Sequence, residues 1–411
     1  MTESIATRLI HHPYRPPEGF DAPQPAVHKA STVFFPNVAA LESRDWKQKQ
    51  GYTYGLHGTP TSFLLEERLA ALEGGTDCLL VPSGLAAIAT VWLSLLRTGD
   101  EVLLPDNVYG PSKTLADGEL AAFGIGWRRY DAMDPAALDA AIGTNTRMVW
   151  LEAAGSVTME FPPLAALVEV CRRRGVRCVL DNTWGAGLAF DPFLIPAGEG
   201  ATVAVDVTIH ALTKYPSGGG DVLMGSIVTR DAALHMQLKM THMRLGLGVG
   251  ANDVESVLRS LPSIALRYDA QDAAARTLAR WLAEQPAVAQ VLHPALEGAP
   301  GHAHWQSVCG ATNRAAGIFS VVFDRRHDRS QVHAFCDALE RFRIGYSWGG
   351  PVSLVVPYDI AGMRDPAVAP WPYAGTLVRL CIGLEDVEDL RVDLAQALAT
   401  LDRSRSHAGA D

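Results

Sequence analysis

The chain predicts an α/β fold, with a mostly parallel sheet flanked by helices, a smaller α+β C-terminal domain and an extended N-terminal arm. Three observations carry this. Between residue 61 and about residue 260, short apolar runs alternate with stretches of helical periodicity. Ahead of them, Pro13, Pro16, Pro17, Pro23 and Pro25 rule out a long helix, so residues 1–60 read as an arm that must pack on something else. Beyond residue 260 the regular alternation gives way to a mixed pattern, which sets a second domain over 261–411.

The elements follow in order. Thr61 to Glu73 has helical periodicity and stops at Gly74-Gly75. Cys78 to Val81 reads as a strand, Pro82-Ser83-Gly84 as a turn, and Leu85 to Leu96 as an apolar helix. Glu101–Pro105, Thr146–Glu152 and Arg177–Asp181 are further short apolar strands, with helices such as Pro162 to Arg174 between them. Another β-rich run ends at Ile209. Glu255 to Glu284 reads as a long helical stretch interrupted near Pro262. In the second domain Ile318–Phe323 and Leu377–Ile382 look like strands, Gln331–Phe342 and Val387–Leu401 like helices, and the tail after Leu401 is polar.

Composition narrows the function classes. Asp and Glu number 45 against 35 Lys and Arg, and no basic block is present, so the chain is a poor nucleic-acid or membrane-surface candidate. No apolar run reaches membrane-spanning length. The start, Met1-Thr2-Glu3-Ser4, lacks the features of a signal peptide. The cysteines are scattered, most of them in apolar runs, and read as reduced core residues of a cytoplasmic protein. The histidines show no metal-ligand spacing, and His11-His12 and His302-Ala303-His304 read as surface residues, so no metal is expected.

Chemistry concentrates in two stretches. In the first, Thr213 and Lys214 follow the strand that ends near Ile209, and Gly218-Gly219-Gly220 follow them. A lysine amine just past a strand end, beside a backbone suited to close approach, can form a Schiff base with pyridoxal 5'-phosphate (PLP), and the hydroxyl and glycines could hold the phosphate. A surface lysine in a glycine turn has the same pattern. In the second stretch, Cys178-Val179-Leu180-Asp181-Asn182-Thr183 is an apolar run ending in an acid. A carboxylate at the C-terminal tip of a buried strand is where α/β sheets place ligand contacts, and PLP needs an acid to keep its pyridine nitrogen protonated.

This pair of motifs resembles the Cys/Met-metabolism family of PLP enzymes, of fold type I, over about residues 50–400, and within it cystathionine β-lyase most closely. The resemblance implies a set of roles. The Ser83-Gly84-Leu85 turn binds the cofactor phosphate together with Thr213; as an isolated motif it is also an ordinary βα turn. Asp181 keeps the pyridine nitrogen protonated, Thr183 binds the cofactor and Tyr109 stacks on its ring, although Tyr109 could equally be a packed loop tyrosine. Arg379, a charge inside an apolar strand, clamps the substrate α-carboxylate; its bottom-up alternative is a structural salt bridge. Tyr346-Ser347-Trp348-Gly349-Gly350 matches the β-lyase version of a substrate loop, and Glu152-Ala153-Ala154-Gly155-Ser156 a strand end facing the cofactor. Tyr54 matches the tyrosine of the arm motif that acts across a dimer.

Two positions depart from that pattern. Ala211 stands where the family carries a second phosphate-binding hydroxyl, and Leu56 where it carries a cross-subunit arginine. A leucine cannot pair with phosphate. The implied activity is carbon–sulfur β-elimination from cystathionine or another amino-acid thioether, in sulfur amino acid metabolism (transsulfuration, methionine biosynthesis). Lys214, Tyr54 and Tyr109 would be catalytic, and Arg379, Ser347, Trp348 and Tyr54 would bind substrate. γ-acting relatives are the alternative, with a non-catalytic binding relative behind them. The implied assembly is a homotetramer, a dimer of dimers with sites shared across each dimer.

Overall fold

The computed structural model describes residues 4–13, 18–20, 22–47, 49 and 51–403. Pro16, Pro17, the first three residues and the end of the polar tail lie outside them. The main sheet has seven strands: β1 (Asp77–Val81), β2 (Glu101–Pro105), β3 (Gly126–Tyr130), β4 (Thr146–Glu152), β5 (Arg177–Asp181), β6 (Val207–Ala211) and β7 (Gly225–Thr229). Their order is β1-β7-β6-β5-β4-β2-β3. Pairings from β3 through β6 are parallel, while β7 runs antiparallel to both β6 and β1. The sheet is therefore mostly parallel, as expected, with an antiparallel margin at β7. Strands such as Val102-Leu103-Leu104 are apolar on both sides because helices cover both faces. Gly84–Leu95 packs on one face, where Trp92 meets Trp150 edge to face at 5.5 Å. Pro60–Glu73 and Leu164–Arg174 cover the other.

Local sequence sets the helix ends. Thr59 and Ser62 form a capping box in front of Pro60, and Gly74 closes the helix in the left-handed region at φ 77°. The Ser83 hydroxyl caps Gly84–Leu95 by accepting from Ala86 N at 3.0 Å. Near Pro262 the chain tightens into a single 3₁₀ turn between the helices Ala251–Ser260 and Ile264–Ala283. Among the described residues the arm's α-helices are short, Ile5–Ile10 and Val38–Glu42.

A second sheet follows: β8 (Val288–Leu292), β9 (Ile318–Phe323), β10 (Arg343–Ile344), β11 (Leu354–Tyr358) and β12 (Leu377–Cys381), in the order β8-β9-β12-β11-β10. Val378 and Leu380 face the helices of this unit, while Leu377 and Cys381 belong to the core shared with the main sheet, so Arg379 between them also faces that way. The helix expected over Gln331–Phe342 instead spans Arg329–Asp337. Asp328 and Gln331 set its start with a capping box, and the Asp393 carboxylate accepts the N–H groups of Glu340, Arg341 and Phe342, which removes them from any helical ladder. The helix Ala232–Leu245 and strands β3, β7, β8 and β11 were not legible from periodicity. All six cysteines are buried free thiols. Among the described residues no helix is long and apolar enough to cross a membrane.

Candidate active site

Lys214 stands three residues past the end of β6, on a turn closed by the bond from its own N–H to Ala211 O. Its Nζ donates to Ser347 Oγ at 2.9 Å and lies 5.7 Å from the centre of the Trp348 ring. Burial, reinforced by the positive charge of Arg379, lowers this amine to about 8. The loop from the second sheet therefore closes directly over the lysine. Gly349 permits the approach: it sits at φ 78°, and a Cβ there would stand 2.9 Å from Tyr215 N and 3.1 Å from Lys214 C. Ser347 itself holds φ 94°, a costly conformation for a residue with a side chain. Its carbonyl accepts from Arg379 Nη2 and lies 3.4 Å from Cys381 Sγ. Trp348 packs edge-on against Tyr215 at 5.6 Å, and Tyr215 is fixed in turn by Gly317 N donating to its hydroxyl.

Asp181 ends β5 beside Glu152, which ends β4 in register with it. Burial raises both carboxyls; Glu152 is raised further by the negative charge of Asp181, while Asp181 is drawn back down by hydrogen bonds from Thr183 and by the charges of His210 and Lys214. Thr183 N donates to Asp181 Oδ1 at 3.0 Å, and the Thr183 hydroxyl accepts from Ala211 N, tying the β5 tip to the strand that leads to Lys214. Both oxygens of Glu152 accept from Tyr109 N, at 2.9 and 3.1 Å. That contact places Tyr109, 43% exposed, over the pair of acids. The Tyr109 hydroxyl is raised by burial and then by Asp181 and Glu152.

Behind the strand tips lies a buried clamp. Glu73, fully buried at the end of its helix, accepts from Asn182 Nδ2 at 2.7 Å and meets His210 Nδ1 at 2.9 Å. This clamp carries no assigned role in the sequence reading, whereas Glu152 entered it as the start of a strand end facing the cofactor.

The residues also offer a cradle for a phosphate. Ser83 caps the helix whose first turn holds Gly84 and the half-exposed Leu85. A Cβ at Gly84 would meet Ala211 Cβ at 2.7 Å, so the small residue at 211 is matched to the turn it faces. The Thr213 hydroxyl has no protein partner among the described residues. The Gly218–Gly220 run also serves packing. Arg267 lies where a Gly218 side chain would be and donates to Tyr215 O at 2.8 Å, and Gly350 packs near Gly220. Gly218 thus permits the close approach of Arg267, and Gly220 that of Gly350.

Arg379 is 7% exposed, its Nε has no hydrogen-bond partner, and its guanidinium lies 5.4 Å from the centre of the Tyr358 ring. Among the described residues no carboxylate lies within ion-pairing distance of it. The structural salt bridge weighed as an alternative is therefore absent among the described residues, and a buried fork faces Lys214 with donors to spare. Tyr54 is not brought to this site. It bridges to Thr32 and lies edge-on to His57 at 5.9 Å, within the arm.

A buried lysine amine, an acid on the neighbouring strand, an aromatic side chain beside it and a helix N-terminus together fit PLP. The sequence pattern of the Cys/Met metabolism PLP-dependent enzymes matches residues 6–399, and the chain belongs to that family. It is 40% identical over 400 residues to a Rhizobium johnstonii protein provisionally named cystathionine β-lyase, covering 96% of both chains. It is 35% identical to the cystathionine β-lyase of Bordetella avium, covering 96% of this chain and 97% of that one. Its fold matches a cystathionine γ-synthase from Xanthomonas oryzae, solved with aminoacrylate and cysteine, with a TM-score of 0.84 and 27% identity over 98% of this chain and all of that one. The protein is thus a PLP-dependent enzyme of sulfur amino acid metabolism, of the type I fold.

Proposed function

We propose that the protein is a carbon–sulfur β-lyase that cleaves cystathionine, or a related S-substituted cysteine, to a thiol, pyruvate and ammonia. The observation that carries this reading is the meeting of Lys214 with Ser347 and Trp348, while the unpaired Arg379 fork lies next to them. PLP, when bound through Lys214, supplies the electron sink for the carbanion formed at Cα. The chain's own residues do the rest. Arg379 takes the α-carboxylate through its free donors and so sets which face of Cα meets Lys214. The Lys214 amine, lowered to about 8, removes the Cα proton at near-neutral pH. Asp181 holds the proton on the pyridine nitrogen, and Tyr109 covers the ring. Ser83, Gly84, Leu85 and Thr213 hold the phosphate. The Cβ–S bond then breaks, the thiol leaves with a proton, and water converts the remaining unit to pyruvate and ammonia.

The γ-acting alternative shares all of these groups, and the likeness to a γ-synthase keeps it in view. γ-Chemistry needs a second proton removal, at Cβ, and so needs room for the chain to shift under the base. Trp348, wedged between Lys214 and Tyr215, takes up that room. Incubation with cystathionine should give pyruvate, ammonia and homocysteine. Dominant 2-oxobutyrate by chromatography of the keto acid would move the protein to the γ-lyases. The arm, with Tyr54 away from its own chain's site, is read as reaching the site of a second copy in a dimer, two of which make the tetramer.

A further inference from the structure

Arg379 stands in β12 with little to hold it. Its Nε is unpaired, its Nη2 makes one long bond of 3.4 Å to Ser347 O, and the Cys381 thiol, two residues on along the same face, is a weak partner. A long side chain so loosely bonded is costly in rotamer entropy to fix in one place. The remaining contact is Tyr358, the last residue of β11. Val356 stands opposite Arg379 and Tyr358 opposite Leu377, so Tyr358 is the diagonal neighbour of Arg379 on one face of the sheet. The guanidinium carbon lies 5.4 Å from the ring centre, within cation–π range. Attraction to a ring occupies no N–H in a hydrogen bond to oxygen, so the fork keeps its donors for a carboxylate.

The ring is itself tied to the main sheet. The segment 359–376, which follows Tyr358, crosses to the tip of β2. There Arg364 donates from Nε to Asp106 Oδ2 at 2.6 Å and from Nη1 to Glu160 Oε2 at 2.9 Å. Asp106 also accepts from Asp365 N, and Met363 O accepts from Lys113 Nζ at 2.8 Å. These charge-assisted bonds join elements far apart in sequence and fix the segment against the strand tip that leads to Tyr109. Core filling does not account for Tyr358. It is half-buried and lines a cavity of about 280 Å³ shared with Trp371 and Tyr373. Its hydroxyl has no hydrogen-bond partner among the described residues; burial raises it and the charge of Arg379 draws it back down.

We propose that Tyr358 is the positioning residue for Arg379: its ring holds the guanidinium in place with the donors of the fork open to the substrate α-carboxylate. The inference rests on the reading above, in which Arg379 is the carboxylate clamp, and adds what aims it. With the ring present, a carboxylate meets a fork already in position. Without it, binding must also order a loose side chain, which weakens substrate and transition state alike. The loss therefore falls on KM and spares kcat.

Steady-state kinetics of the holoenzyme test this with cystathionine, or with the S-substituted cysteine it turns over fastest. The variants are Tyr358→Leu, Tyr358→Phe, Arg379→Leu and the double variant of both leucine changes, each also checked by thermal melt and by the cofactor's visible absorbance. Tyr358→Leu should raise KM about threefold to about 30-fold, the range of a desolvated cation–π contact, with kcat within about twofold. Tyr358→Phe keeps the ring and should stay within about twofold of the wild-type KM. In the Arg379→Leu background, Tyr358→Leu should add nothing, because the group it aims is gone. A normal KM in Tyr358→Leu, an equal loss in Tyr358→Phe, or full additivity in the double variant overturns the proposal. Should Tyr358→Leu fail to fold, Tyr358→Met, with its adaptable side chain, carries the same test. A raised KM in Arg379→Leu with none in Tyr358→Leu leaves the clamp standing and removes only its positioning residue. A normal KM in Arg379→Leu removes both.

Discussion

Replacing Arg379 by leucine separates a substrate clamp from a structural charge. The side chain is 7% exposed, its Nε is unpaired and its Nη2 makes one long bond of 3.4 Å to Ser347 O. With no carboxylate on it, the guanidinium contributes little to folding, and its removal from an apolar strand relieves an uncompensated desolvation cost. The melting temperature of Arg379→Leu should therefore hold or rise. A substrate carboxylate seated on the fork loses a charge-assisted bidentate partner, worth about 2–5 kcal/mol. That converts to a rise in KM of about 30-fold to about 5,000-fold. Steady-state kinetics with cystathionine, beside a thermal melt and the cofactor's visible absorbance, reads all three quantities. Arg379→Lys should fall between, because it keeps the charge and loses the planar fork. A normal KM refutes the clamp; a collapse in stability with KM unchanged would make Arg379 structural.

Four further outcomes are expected. Lys214→Ala should purify without borohydride-reducible cofactor and lose turnover by several orders of magnitude, and peptide mapping of the reduced wild type should place the label on residue 214. Apo protein should recombine with PLP faster as pH rises through about 8, because Lys214 reacts as the neutral amine. Since its folded pKa lies below the unfolded value, the unfolded chain binds more protons between the two, so the apo form should also gain stability as pH rises from about 8 to about 10 in a melt series. Leu56→Arg should tighten PLP retention on dialysis or leave it unchanged; accelerated loss would contradict the reading of position 56.

The main sheet and the pair Asp181 and Lys214 were legible in the sequence because each rests on a local pattern. An apolar run ending in an acid, or followed by a lysine, states where a buried strand stops and what its tip presents. Thr59, Ser83 and Gly74 mark helix ends by hydrogen bonds that span only a few residues. Strand β7 was not legible, since Gly225–Thr229 is held by its pairing with β1 and β6 across long sequence separations. The same holds for the end of the helix at Asp337, which a carboxylate from residue 393 decides. At the site, a charge in an apolar strand marked Arg379, yet only the packed structure decided whether a carboxylate already neutralised it. Tertiary structure also decided that Gly218 packs against Arg267, and that Ser347 and Trp348 meet Lys214 from another domain. Periodicity and capping are short-range and are written in the chain; the neighbours that set a buried group's charge, and the close approach a glycine permits, come from elements that meet only when the chain folds.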